Sequence, residues 1–201
     1  IFSGLLALVL YCYALAEPYW IQVKETVITD SDIPISFSGL RMVFIADIHH
    51  SPSFSRERVR RVVEKVNRLE PDLILLGGDY AEGGEDYLRG CFAELGLLKA
   101  SLGVYGVLGN HDYFPDPELS WSLMKEHGIT GLDNKGSWIY LNGDRIRLGG
   151  VGDLWSDAQI PENVTEGVEK NDYVILLSHN PDYLERMSTD KVDLVLSGHT
   201  H

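Results

Sequence analysis

Residues 72–79 read DLILLGGD. Four uninterrupted apolar side chains, Leu73 to Leu76, stand between an aspartate and a Gly-Gly-Asp corner. An apolar run this short, closed by glycines, predicts a strand buried on both faces, as in a parallel sheet. The flanking segments agree. Upstream, SRERVRRVVEKVNRLE (55–70) sets Val59, Val62, Val63, Val66 and Leu69 at helical spacing, with Ser55 as cap and Pro71 past the end. Before that helix lies RMVFIAD (41–47), a second apolar, β-branched run. Downstream, EDYLRGCFAELGLLKA (85–100) predicts another helix and GVYGVLGNHD (103–112) a third strand. Strand and helix alternating at about 30 residues per unit predict parallel βαβ units.

Farther along, a helix is expected around residues 116–127. Asn142-Gly143 then separates SWIYL from DRIRLGG, a strong hairpin signal that brings antiparallel pairing into a mixed or second sheet. The end of the chain returns to the first rhythm: DYVILLSHNP, a short helix at DYLERM, and VDLVLSGHTH.

A chain of 201 residues fits one domain with a sizeable core. Its net charge of -13 argues against a partner held by its nucleic-acid backbone, because such proteins carry a basic face. Small phosphate compounds stay within reach if metal cations supply local positive charge. Cys12 and Cys91 have no metal or redox spacing and read as small hydrophobes.

The first sixteen residues, IFSGLLALVLYCYALA, carry no charge and no initiator Met precedes them. Since a span needs about 20 apolar residues, residues 1–16 are expected to be part of a transmembrane anchor. Tyr11, Tyr13, Tyr19 and Trp20 would form its interfacial belt. A signal peptide cut after Ala14-Leu15-Ala16 and a buried helix are the other readings. Lys24 is the only basic residue before Arg41, which favours a cell-membrane protein with its body outside the cytoplasm. Residues 17–40, with an edge strand at IQVKETVI, form the expected lead-in, and residues 41–201 the domain.

Each predicted buried strand ends in side chains of one chemical kind. They are Asp47-Ile48-His49, Gly77-Gly78-Asp79, Gly109-Asn110-His111-Asp112, Ser178-His179-Asn180 and Gly198-His199-Thr200-His201. Five of the seven histidines fall there; His50 and His127 are the others. A parallel sheet gathers the carboxyl ends of its strands at one edge, where open α/β folds build their sites. Taken singly, each motif has a plainer reading, since a strand-end Asp is commonly a cap or turn former. Taken together they do not. Asp, Asn and His without thiolate suit manganese, iron, zinc or cobalt. Asp47, His49, Asp79, Asn110, His179, His199 and His201 exceed what one tetrahedral zinc requires and suit two adjacent ions sharing a carboxylate.

The order DxH, GGD, GNHD, H and GHTH resembles the calcineurin-like metallophosphoesterase superfamily, from about residue 41 to the end. GGDY, SHNP and the apolar leader before EPYW resemble its membrane-anchored bacterial subgroup. The resemblance implies a four-layer α/β/β/α sandwich binding two divalent metal ions. It implies Asp47, His49 and His201 around the first ion, Asn110, His179 and His199 around the second, and Asp79 bridging them. His111 would be the general acid that protonates the leaving group, and Glu82 the acid supporting it. Asn110, a neutral oxygen ligand, adds no negative charge to a site that accepts an anion.

Relatives of this kind continue past the GHTH motif, so the chain is expected to be truncated at its C-terminus as well as at its N-terminus. The implied substrate is a phosphomonoester, phosphodiester or pyrophosphate at the membrane surface, a lipid-linked phosphate first, with cell-wall phosphopolymers and nucleotides as alternatives. Two rivals stand beside this. One is a non-catalytic, protein-binding scaffold of the same fold. The other is a serine hydrolase using Ser178 or Ser197, although neither lies in a G-x-S-x-G elbow. His50 reads as solvent-facing or substrate-touching, His127 as a helix C-terminal residue, and Asp112 as a hydrogen-bonding support of its loop.

Overall fold

The computed structural model describes residues 2–16, 20–114 and 116–201. β1 (Met42–Ile45), β2 (Leu73–Leu76), β3 (Val104–Gly106) and β4 (Ile129–Gly131) form one sheet in that order, every neighbour parallel. β5 (Lys135–Leu141), β6 (Asp144–Gly150), β7 (Val174–Leu177) and β8 (Leu194–Leu196) form the second. There β5 and β6 are the antiparallel hairpin expected at Asn142-Gly143, and β6, β7 and β8 run parallel. Both turn residues have positive φ, 49° and 93°, which suits the twist of a two-residue hairpin.

The opening motif accounts for the layering. All four side chains of β2 are buried, and successive ones point to opposite faces. Leu73 and Leu75 enter the core between the sheets with Val107, Ile146, Leu148 and Ile175. Ile74 and Leu76 face Val59, Val63, Leu88 and Phe92 on the helices of the other side. Each such side chain contributes about 2 kcal/mol by leaving water. The helices are α2 (Arg56–Asn67), α3 (Glu85–Leu95) and α4 (Pro117–Glu126). β7 divides in the same way: Ile175 and Leu177 turn inward, while Val174 and Leu176 turn out toward Val164 and Tyr183. The result is the α/β/β/α sandwich, with a thin fourth layer. That layer consists of α5 (Pro161–Val164) and a 3-10 turn, Pro181–Glu185, where a short helix was expected.

Two findings differ from expectation. β4 was not foreseen, because Ile129-Thr130-Gly131 follows Gly128 and shows no apolar run. The edge strand expected at IQVKETVI is absent: residues 20–30 are irregular, and Val27 is 88% exposed. β-branched residues favour a pleated, half-buried surface, and with no partner strand here there is no ladder to join. At the N-terminus, α1 (Phe2–Ala16) is an uncharged helix whose described side chains are exposed. At 1.5 Å per residue it rises roughly 22 Å, short of the ~30 Å hydrocarbon core. Among the described residues, no helix is long and apolar enough to cross a membrane. Tyr19, assigned to the aromatic belt, lies with residues 17 and 18 outside the described residues.

Candidate metal centre

The ladder between β1 and β2 continues past the strands and carries the first candidate ligands into place. Asp47 N donates to Gly78 O (3.0 Å), His49 N to Asp79 O (3.0 Å) and His50 N to Tyr80 O (3.0 Å). Asn110 and His111 follow β3 in a 3-10 turn, Asn110–Tyr113. His179 follows β7, and His199 and His201 follow β8. The two sheets meet here. His199 N donates to both carboxylate oxygens of Asp47, at 2.9 and 3.0 Å, and His179 Nδ1 lies 2.7 Å from Gly77 O.

The backbone is held in an unusual conformation to do this. Asp47, His49, Asp79, His199 and His201 all have positive φ, between 46° and 70°. Such a conformation costs a non-glycine residue about 1 kcal/mol or more, and such strain clusters at functional sites. Two glycines provide the room. A Cβ on Gly109 would stand 2.7 Å from both Asp79 N and His179 Cε1, and one on Gly198 2.5 Å from Asp47 Oδ2.

Three sets of ligand atoms converge, each within 4.8 Å: Asp47, His49 and His201; Asp79, His179 and His199; and His49, Asp79 and His111. The side chains fit metal ions by a physical test, because their lone pairs are buried and unused. His49 Nδ1 and Nε2, Asn110 Oδ1 and His179 Nε2 are inaccessible and make no hydrogen bond. Leaving such groups unpaired costs about 1–3 kcal/mol each. His179 Nε2 lies 3.3 Å from Asp79 Oδ2, off the geometry of a hydrogen bond. With Nδ1 held on the Gly77 carbonyl, Nε2 is the free ligand atom, the arrangement that orients metal-binding imidazoles.

The charge balance of the site turns on Asp79. Burial lowers the His49 pKa, and neighbouring His111 and His201 lower it further against the pull of Asp79, which favours the neutral ligand form. Burial would also lower His179, but Asp79 and the Gly77 carbonyl outweigh it and raise His179 to about 9. Burial would raise Asp79; His179 and the His111 N–H hold it below the ordinary carboxylate range. The site draws positive charge to Asp79, by proton or by cation.

Around this centre the remaining residues take distinct places. His111 is exposed, its ring centroid 4.9 Å from that of His49 and its backbone N–H donating to Asp79 Oδ1 at 2.9 Å. Asp112 is buried and accepts from the backbone N–H of Asp79, Tyr80 and Gly109 at 2.7–2.8 Å, the support expected of it. Burial nonetheless pushes its carboxyl up to about 7. Glu82 is not brought to His111: its carboxylate is exposed and makes no hydrogen bond or ion pair among the described residues, while its N–H donates to His50 O. His50 does not face solvent. It is buried, with Nδ1 2.7 Å from Phe54 O and its ring against Tyr87. His127 ends α4, as expected. Ser178 is buried with Oγ donating to Asn180 O, an internal bond rather than a nucleophile's setting. Sequence reading missed Trp155, whose ring packs against that of His199 with centroids 4.5 Å apart. Nothing in one sequence joins residue 155 to residue 199.

Oxygen and imidazole ligands gathered from two sheets at their carboxyl edges define a metal-binding α/β sandwich. The chain belongs to the calcineurin-like phosphoesterase family, whose pattern matches residues 40–201. A Danio rerio transmembrane protein with metallophosphoesterase domain is 33% identical, over 90% of this chain and 44% of its own length. An Aquifex aeolicus metallophosphoesterase is 30% identical, over 98% of this chain and 76% of its own. The chain spans less than half the length of the animal relatives. In fold it is similar to Haemophilus influenzae NAD nucleotidase, TM-score 0.59 at 17% identity, over 81% of this chain and 38% of that one. The 5'-nucleotidase precursor of Thermus thermophilus gives 0.58 at 15%, over 80% and 41%.

Proposed function

We propose that the protein hydrolyses phosphoesters with two divalent cations. One is held by Asp47, His49 and His201, the other by Asn110, His179 and His199, with Asp79 shared. The observation that carries this is the set of buried, unpaired lone pairs on His49, Asn110 and His179, all at one edge of the sandwich. Cations bound there supply Lewis acidity, neutralising phosphate oxygens and acidifying water. The chain's own groups do the rest. Asp47 and Asp79 bring the negative charge that retains cations, and the Asn110 carboxamide ligates without adding repulsion toward an anionic substrate. His111, outside both ligand sets and open to solvent, delivers a proton to the leaving oxygen. Its position is fixed through the N–H that it donates to Asp79.

The test is hydrolysis of p-nitrophenyl phosphate and its bis ester by the full chain with manganese added. Turnover is expected with metal and lost with chelator. His111→Ala is expected to lower kcat about 100-fold or more, the usual worth of a positioned acid. Absence of turnover, together with indifference to His111→Ala, overturns the reading.

The substrate's setting is proposed to be a membrane surface. The uncharged, exposed α1 and the transmembrane naming of two animal relatives support this.

A further inference from the structure

Trp155 is 66% exposed on the loop after β6, and that loop is tightly held. Buried Asp153 accepts through Oδ2 from the N–H of Trp155 (2.9 Å) and of Ser156 (3.0 Å). Asn134, between β4 and β5, spans the loop. Its Oδ1 accepts from Gly152 N (3.1 Å) and Ile160 N (2.8 Å), and its Nδ2 donates to Ala158 O (2.8 Å). Tyr113 Oη donates to Asp157 Oδ2 (3.0 Å), tying the same loop to the turn that carries His111. The indole meets the His199 imidazole edge to face, centroids 4.5 Å apart at 83°. An aromatic plane is therefore fixed beside a candidate ligand, with most of its surface open to solvent.

We propose that Trp155 is a specificity-determining residue whose open face stacks a flat aromatic leaving group, aryl or nucleobase, of a phosphoester bound at the metal cluster. The inference rests on the hydrolase reading and deepens it. Three physical points favour a ring as the occupant. Indole offers a large apolar face, aromatic stacking prefers offset or edge geometry, and the His199 contact leaves about two thirds of Trp155 exposed. Because Asp153, Asn134 and Tyr113 already fix the loop, little conformational entropy remains to be lost on binding.

The test compares phenylphosphonate with methylphosphonate on the manganese-loaded full chain by calorimetry. The two share the phosphonate and differ in the ring. The wild-type protein is expected to prefer phenylphosphonate, Trp155→Ala to reduce that preference about tenfold, and Trp155→Phe to restore most of it. In parallel, Trp155→Ala is expected to raise KM for p-nitrophenyl phosphate more than it lowers kcat. An unchanged phenyl-to-methyl ratio in Trp155→Ala overturns the role of Trp155 and leaves the hydrolase reading standing. Failure of the wild-type protein to bind either phosphonate overturns both.

Discussion

Gly109 carries much of the site's precision, and it does so by lacking a side chain. The backbone of Asp79 and the ring of His179 close over its Cα. Gly109→Ala is expected to displace Asp79 and cut manganese affinity at least about tenfold, with a folded protein retained, as read by metal titration and circular dichroism. Asp112 acts one step back, gathering three N–H groups beneath Asp79. Asp112→Ala leaves those donors without an acceptor and should cost about 2–3 kcal/mol in urea unfolding. Glu82→Gln, by contrast, is expected to change kcat less than about twofold, since its carboxylate stands free of His111; a larger loss would return Glu82 to the machinery. At this scale the sequence was legible wherever residue type declares chemistry. Asp47, His49, Asp79, Asn110, His179, His199 and His201 could be read as candidate ligands because carboxylate, carboxamide and imidazole at strand ends have few other uses in common. His50 and Trp155 could not, since what they touch is decided by folding.

α2 and α3 show a different kind of adhesion. Glu94 is almost wholly buried on α3 and receives Arg56 Nε at 2.5 Å and Arg60 Nε at 3.0 Å from α2. The hydrogen bond from Arg60, then that from Arg56, outweigh burial and hold its carboxyl below the ordinary value of 4.5. Because the folded pKa is depressed, this clamp contributes fully above pH 4.5 and is lost as pH falls through the depressed value. Glu94→Gln should therefore cost about 1–2 kcal/mol at pH 7, a figure kept low because both arginines are half exposed. The difference from wild type should narrow steadily below pH 4.5 in urea titrations. A gap that stays constant with pH would show that packing, not charge, is what Glu94 supplies. Elements of seven or more residues with a clear period, such as α2 and the β5–β6 hairpin, were readable. β4 is interrupted by glycine and shows no apolar run, and residues 21–28 have strand composition but no partner.

For the molecule as a whole, the decisive legible feature was the recurrence of apolar strands that end in candidate ligands. From the residues alone the division into two sheets was legible only in part, through the Asn142-Gly143 hairpin; the resemblance implied the four layers that the fold shows. The uncharged α1 adds a prediction at this scale. The full chain is expected to float with liposomes, and a chain lacking residues 1–16 to remain in solution with its phosphoesterase activity intact. Equal flotation of the two would remove the membrane-surface proposal.

The candidate ligands are divided between the two sheets, Asp47, His49, Asp79 and Asn110 on one and His179, His199 and His201 on the other. Ions seated among them would act as rivets between two halves that otherwise adhere through apolar contact and a few hydrogen bonds, such as that from His199 N to Asp47. Chelation should then loosen the sandwich as well as silence it. At a hundredfold excess of ion over its dissociation constant, each rivet adds about 2.7 kcal/mol. Melting followed by calorimetry should shift downward when EDTA is added.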